Sequence, residues 1–128
     1  MYKIAIDAMG GDQAPLSVVE GALLASAEGV SCVLVGDKPK LEKIINKRQN
    51  LKIYHYPEVI GMEEEPTKSI RKKKNSSIVG SMTLLKEGKV EAVFSAGSTG
   101  AVMVSAITIL GKVKGISRPA IASVLPGY

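Results

Sequence analysis

Short apolar runs bounded by turn-forming residues alternate along this chain with longer segments whose apolar positions recur at helical spacing. The runs Tyr2 to Asp7, Ser31 to Gly36, Lys52 to Tyr56 and Ala92 to Ser95 predict strands, and a fifth strand is expected over Ala120 to Leu125. Between them, Leu16, Val19, Leu23 and Ala27 mark one face of a helix over Leu16 to Ala27 that stops at Gly29. Leu41, Ile44 and Ile45 do the same for Lys38 to Lys47. A third helix is expected from Ser76 or Ser77, capped by Asn75 or Ser76, through Ile78, Met82 and Leu85 to Gly88. A fourth opens at Ser98 or Thr99 and ends near Gly111. From Pro57 to Lys74 the chain is acidic, then interrupted by Pro66, then basic, with weak periodicity, which predicts a surface excursion. Strand and helix in alternation predict a mostly parallel sheet covered by helices, an α/β fold in a single domain over residues 1–128.

Composition narrows the classes. The chain has 128 residues, 45% of them hydrophobic, so it can bury a core. Its one cysteine, Cys32, sits inside the apolar run "SCVLVG", which predicts a core thiol and no disulfide framework. Met1 leads directly into strand-like sequence and no apolar run reaches membrane-spanning length, so a cytoplasmic protein is expected. A net charge of +5 favours anionic partners, but one Phe, four Tyr and no Trp leave little for base stacking, so nucleic acid is not expected among them. No group of Cys, His, Asp and Glu has metal-ligand spacing, and the run Glu63 to Glu65 reads as a solvated turn before Pro66. His55, the only histidine, has no acid or nucleophile near it and reads as a half-buried residue at a strand end.

Three stretches could carry chemistry. "DAMGGDQAP", Asp7 to Pro15, follows the first strand, where two glycines let backbone N–H groups approach an anion. The same glycines serve equally as a strand-to-helix turn, and Asp7 and Asp12 would repel a bare pyrophosphate. "RKKKNSS", Arg71 to Ser77, runs four cations into a helix start whose N–H groups and hydroxyls suit an anion, although such a run is also the ordinary make-up of a solvated face. "SAGSTGA", Ser95 to Ala101, is a second strand-to-helix bend, with Gly97 for the turn, Gly100 for close approach and hydroxyls at Ser95, Ser98 and Thr99. Ser69 and Lys72 have the S-x-x-K spacing of penicillin-reactive enzymes but lack the companion motifs. A dinucleotide-dependent dehydrogenase, with Asp37 meeting a ribose, lacks the glycine fingerprint.

Taken in order, "IAIDAMGGDQAP", "PTKSIRKKKNSS", "FSAGSTGA" and "GISRPAIASVLP" closely resemble the N-terminal motifs of the bacterial phosphate acyltransferases of phospholipid synthesis, the PlsX family. The resemblance covers residues 2 to 126 and makes this chain the N-terminal part of a longer family chain, a partial domain. It implies transfer of a fatty acyl group from acyl carrier protein to inorganic phosphate, giving acyl phosphate. It also implies a Rossmann-like three-layer fold of the isocitrate/isopropylmalate dehydrogenase-like superfamily, a homodimer, no metal or organic cofactor, and membrane association through regions outside this chain. The stretches it matches make Arg71, Lys73 and Asp7 the catalytic candidates. The substrate-binding candidates are Met9, Gly10, Gly11, Asp12, Lys74, Ser76, Ser77, Ser95, Gly97, Ser98, Thr99 and Gly100. Gln13 stands where the family usually has His, and Ser98 where it usually has Asn. A non-catalytic phosphate- or nucleotide-binding module is the alternative from another functional class.

Overall fold

The computed structural model describes residues 2–127. Four strands, β1 (Lys3–Asp7), β2 (Ser31–Gly36), β3 (Ile53–His55) and β4 (Ala92–Ser95), form one sheet in the order β3-β2-β1-β4, with every pair parallel. β1 and β2 read as continuous apolar runs because both of their faces are covered, whereas β4, at the edge of the sheet, leaves Phe94 exposed. Ile4, Ile6, Cys32 and Leu34 face α1 (Leu16–Ala27) and α2 (Lys38–Ile45). The alternate residues Ala5, Val33 and Val35 pack with Leu84 of α4 (Ser77–Lys86) on the other side. A third apolar cluster joins Ile70 of α3 (Pro66–Lys72), Ile78 and Met82 of α4, and Ala101 of α5 (Thr99–Ser105). Cys32 is buried, its Sγ 3.9 Å from the Ala22 carbonyl, and burial raises its pKa.

The order of the strands positions the site. From β1 the chain goes through α1 to β2 and on to β3, moving in one direction across the sheet. It then returns through α3 and α4 to place β4 on the opposite side of β1. The crossovers therefore diverge between β1 and β4, and a crevice opens beyond the carboxyl ends of those two strands. Asp7 and Ser95 are register partners at that end, so the two glycine bends leave the sheet side by side.

Several sequence expectations are corrected. The span Pro57 to Lys74 is not only an excursion, because Pro66–Lys72 is helical. Glu65 caps that helix by accepting from the N–H groups of Thr67 and Lys68, and Pro66 occupies its first turn, where a missing N–H costs nothing. The basic run thus closes a helix that was not expected, and leads into the next one at Ser77 as expected. The second helix ends at Ile45 rather than Lys47, because Asn46 and Lys47 adopt left-handed backbone at φ 49° and 60°. The fourth continues past Ser105 as a π-helical turn, Ala106–Leu110, and Gly111 at φ 83° ends it. Ala120 to Leu125 is not a strand: no described strand lies beside it to complete a ladder, and Val124 and Leu125 are exposed. His55 is exposed rather than half-buried, and its Nδ1 accepts from the Lys38 N–H at 3.1 Å.

Candidate functional site

Asp7 ends β1 with a side chain that is almost wholly buried. A buried carboxylate is costly unless it accepts hydrogen bonds. Here the Ser95 hydroxyl donates to Asp7 Oδ2 at 2.7 Å, and the Met9 N–H approaches Oδ1 at 3.3 Å. Ser95 Oγ in turn accepts from the Gly97 N–H at 3.1 Å. This relay locks the bend after β4 to the end of β1.

The bends touch through backbone. A methyl group at Gly10 would lie 2.6 Å from Asp7 Oδ2 and 3.1 Å from both Cα and N of Gly97. A methyl at Gly97 would lie 3.2 Å from Gly10 Cα. Only glycine at both positions permits this approach. Gly11 adopts φ 116°, which turns the chain toward α1. Over this junction lies a cleft lined by Asp7, Gly10, Ser77, Ser95, Gly97 and Ser98, with Val59 and Ile60 as its apolar wall. Its free space is about 10 Å³, room for about one water.

The N-terminus of α4 faces the same cleft through Ser77. Ser76 is fully buried and caps that helix, accepting from the Val79 N–H at 3.3 Å. An unusual pairing holds this helix start in place: Glu58 forms an isolated parallel bridge with Ser76, and the Ser77 N–H donates to the Glu58 carbonyl. Ser98 caps α5 by accepting from the Ala101 N–H at 3.2 Å. Two helix starts, each with a serine cap, therefore meet the two glycine bends at the switch point. Backbone donors and hydroxyls of this kind suit an oxyanion.

The remaining candidates are distributed as follows. The Met9 side chain is core, packed beneath Gly36 and Leu41 with only its backbone at the bend. Asp12 is exposed. Gly100 packs against Pro66, whose Cγ would lie 2.7 Å from an added methyl, so the close approach there is between α5 and α3. Thr99 lies with Ser95 and Gly97 along a second, larger groove. Arg71 and Lys74 are exposed and lie outside the cleft. Lys73 also lies outside it. Its Nζ sits 2.9 Å from the Glu64 carboxylate and donates to the Val59 carbonyl at 2.8 Å.

Glu64 was the residue hidden from sequence reasoning. Its carboxylate accepts from the Gly61 N–H at 2.6 Å, from Lys73 and from the Ser69 hydroxyl, and these contacts hold its pKa below the usual carboxylate range, the Gly61 contact foremost. Through Lys73 and Val59 it ties the wall of the cleft to the end of α3. The available signal was Pro66, a helix-start residue directly after the acidic run.

The comparisons with known proteins agree with this architecture. A family model described as "Fatty acid synthesis protein" matches residues 2–128. A "Phosphate acyltransferase" of Desulforamulus reducens is 53% identical over 130 residues, covering 98% of this chain and 39% of that protein. Proteins of the same name from Pelotomaculum thermopropionicum and Ligilactobacillus salivarius are 51% and 47% identical, over 97% and 98% of this chain and 37% and 38% of theirs. The chain thus spans under two-fifths of the length of these relatives. On the family match over its length and on these identities, the chain belongs to the fatty acid synthesis protein family.

Proposed function

We propose that this chain forms the phosphate-holding part of an acyltransferase that moves a fatty acyl group from acyl carrier protein to inorganic phosphate. The observation that carries the reading is the switch-point cleft, where Asp7, Ser95 and Gly97 join two backbone bends beside the start of α4. The names of the relatives supply the reaction class. In such a transfer a phosphate oxygen attacks the thioester carbonyl, the carbon–sulfur bond breaks, and the carrier thiol leaves. The protein's task is to hold a polyanion against that carbon and to stabilise the developing oxyanion. The Ile78 N–H in the first turn of α4 and the hydroxyls of Ser77 and Ser98, all lining the cleft, are suited to this without placing a competing strong nucleophile there. Asp7 orients Ser95 rather than meeting the anion, because its Oδ2 is occupied by the serine hydroxyl. Arg71, Lys73 and Lys74 stand outside the cleft, and we assign them to attracting phosphate or the acidic surface of the carrier.

The reading extends to a Rossmann-like fold of the isocitrate/isopropylmalate dehydrogenase-like superfamily, to a homodimer and to a cytoplasmic location. Among the described residues no helix is long and apolar enough to cross a membrane. The test is a chimera in which this chain replaces the matching part of the Desulforamulus reducens relative, assayed for acyl phosphate formation from acyl-carrier substrate. We expect the chimera to be active and this chain alone to give no turnover. A folded chimera that makes no acyl phosphate contradicts the assignment.

A further inference from the structure

The cleft is too small for a substrate with a hydrocarbon tail, yet Ser95 and Gly97 also line the larger groove, where Thr99 joins them. That groove holds about 640 Å³, within the range of roughly 300–1,000 Å³ usual for small-molecule sites. One wall is the face of α5 and its π-helical extension, with Met103 and Ile107; the other is the irregular segment after Gly111, with Ile116 and Ile121. The π turn and the reversal at Gly111, where the N–H donates to the carbonyls of Ala106 and Ile107, bring the segment back along the helix.

From this arrangement we infer that the groove is the seat of the acyl chain, with the phosphoryl end of an acyl phosphate at the Ser95–Thr99 bend. The inference rests on the acyl-transfer reading above and adds where the hydrocarbon lies. Three observations support this occupant. The groove is continuous with the candidate phosphate cleft through Ser95, Gly97 and Val102. The hydroxyls of Ser95 and Thr99 gather at the bend, and the walls are apolar but for Lys112, whose Nζ donates to the Ser117 carbonyl, which matches an amphiphile with one polar end. Exposed Val113, Ile116 and Ile121 gain an apolar neighbour when a chain enters.

The test uses alkyl phosphates, from hexyl to decyl, below their micelle concentrations and at fixed ionic strength, with binding to the 128-residue chain followed by calorimetry. Each added methylene should tighten binding by about fourfold until the groove is filled. Ile121→Asp, at an exposed position on the segment wall, should weaken decyl phosphate by at least about tenfold while leaving inorganic phosphate unaffected. Met103→Asp on the helix wall provides an independent second variant. Affinity independent of chain length overturns the inference. So does a length dependence that survives both variants in folded protein, or equal binding of a decyl trimethylammonium cation. The acyl-transfer reading fails separately: an inactive folded chimera that still binds decyl phosphate in the groove removes transfer and leaves the groove standing.

Discussion

Gly10→Ala tests the backbone contact at the switch point. The new methyl would lie 2.6 Å from Asp7 Oδ2, well inside van der Waals contact, and 3.1 Å from two atoms of the Gly97 backbone. Neither neighbour can yield as the end of a flexible side chain could. Asp7 is buried and bonded, and Gly97 belongs to the facing bend. Overpacking of this kind costs about 1–3 kcal/mol. If the carboxylate moves instead, its bond to Ser95 is lost, and an unsatisfied buried group costs about 1–3 kcal/mol. The two responses share one displacement and do not add in full, so we expect a net loss of about 2–4 kcal/mol. At roughly 3–6 °C per kcal/mol for a domain of this size, the melting temperature should fall by roughly 10 °C. Gly21→Ala is the counterpart: it lies in α1 with nothing within 4 Å of an added methyl, and should stabilise by about 0.5–1 kcal/mol through helix propensity. Urea melts followed by circular dichroism measure both. A Gly10→Ala protein within about 0.5 kcal/mol of the parent would refute the claim that the bends are held backbone to backbone.

Three further outcomes follow from the same contacts. Ser95→Ala removes the donor to Asp7 and the acceptor for the Gly97 N–H, and should cost about 1–3 kcal/mol in a urea melt, whereas Ser95→Thr should retain most of the bonding. Lys72→Ala, at an exposed position in the last turn of α3, should stay within about 0.5 kcal/mol; Lys73→Ala should release Glu64 and speed amide exchange at Gly61. The third is a pH effect. Glu64 and Glu65 have depressed pKa values, from the Gly61 N–H foremost and the Lys68 N–H foremost respectively, so the unfolded chain takes up their protons first as the pH falls. Their contribution is complete above the ordinary carboxylate pKa and is lost as the pH drops through the folded values. Hydrogen exchange should therefore loosen at Gly61 and Lys68 before the sheet does, and Glu64→Gln should remove the acid sensitivity at Gly61.

What the sequence made legible follows from how each element is held. β1 and β2 were readable because burial on both faces makes their apolar runs continuous, β4 from its composition although Phe94 is exposed, and α1 because Val19 and Leu23 of its stripe reach the core while Leu16 and Ala27 stay exposed. α3 was not, since only Ser69 and Ile70 of its seven residues are buried and no stripe can be seen in so short a helix. Ala120 to Leu125 has a strand's composition, yet composition cannot provide the neighbour a ladder needs. For the site, the glycine bends announced that backbone approaches something. They could not reveal that Gly10 and Gly97 approach each other, or that Gly100 meets Pro66, because those pairs form only when distant segments pack. The same holds for Lys73: Glu64 lies nine residues earlier, and only the turn into α3 brings the two together.

In our proposal phosphate is held by the junction of the two bends with the start of α4, and not by the basic run. A titration of the isotope-labelled chain with inorganic phosphate at fixed ionic strength, followed by amide NMR, tests it directly. We expect saturable shifts concentrated at Gly10, Gly11, Ser77, Gly97 and Ser98, in the millimolar range expected of a cleft that must widen from about 10 Å³ to admit the ion. Shifts confined to Arg71 through Lys74, with the amides of Gly10 and Gly97 unmoved, would contradict it.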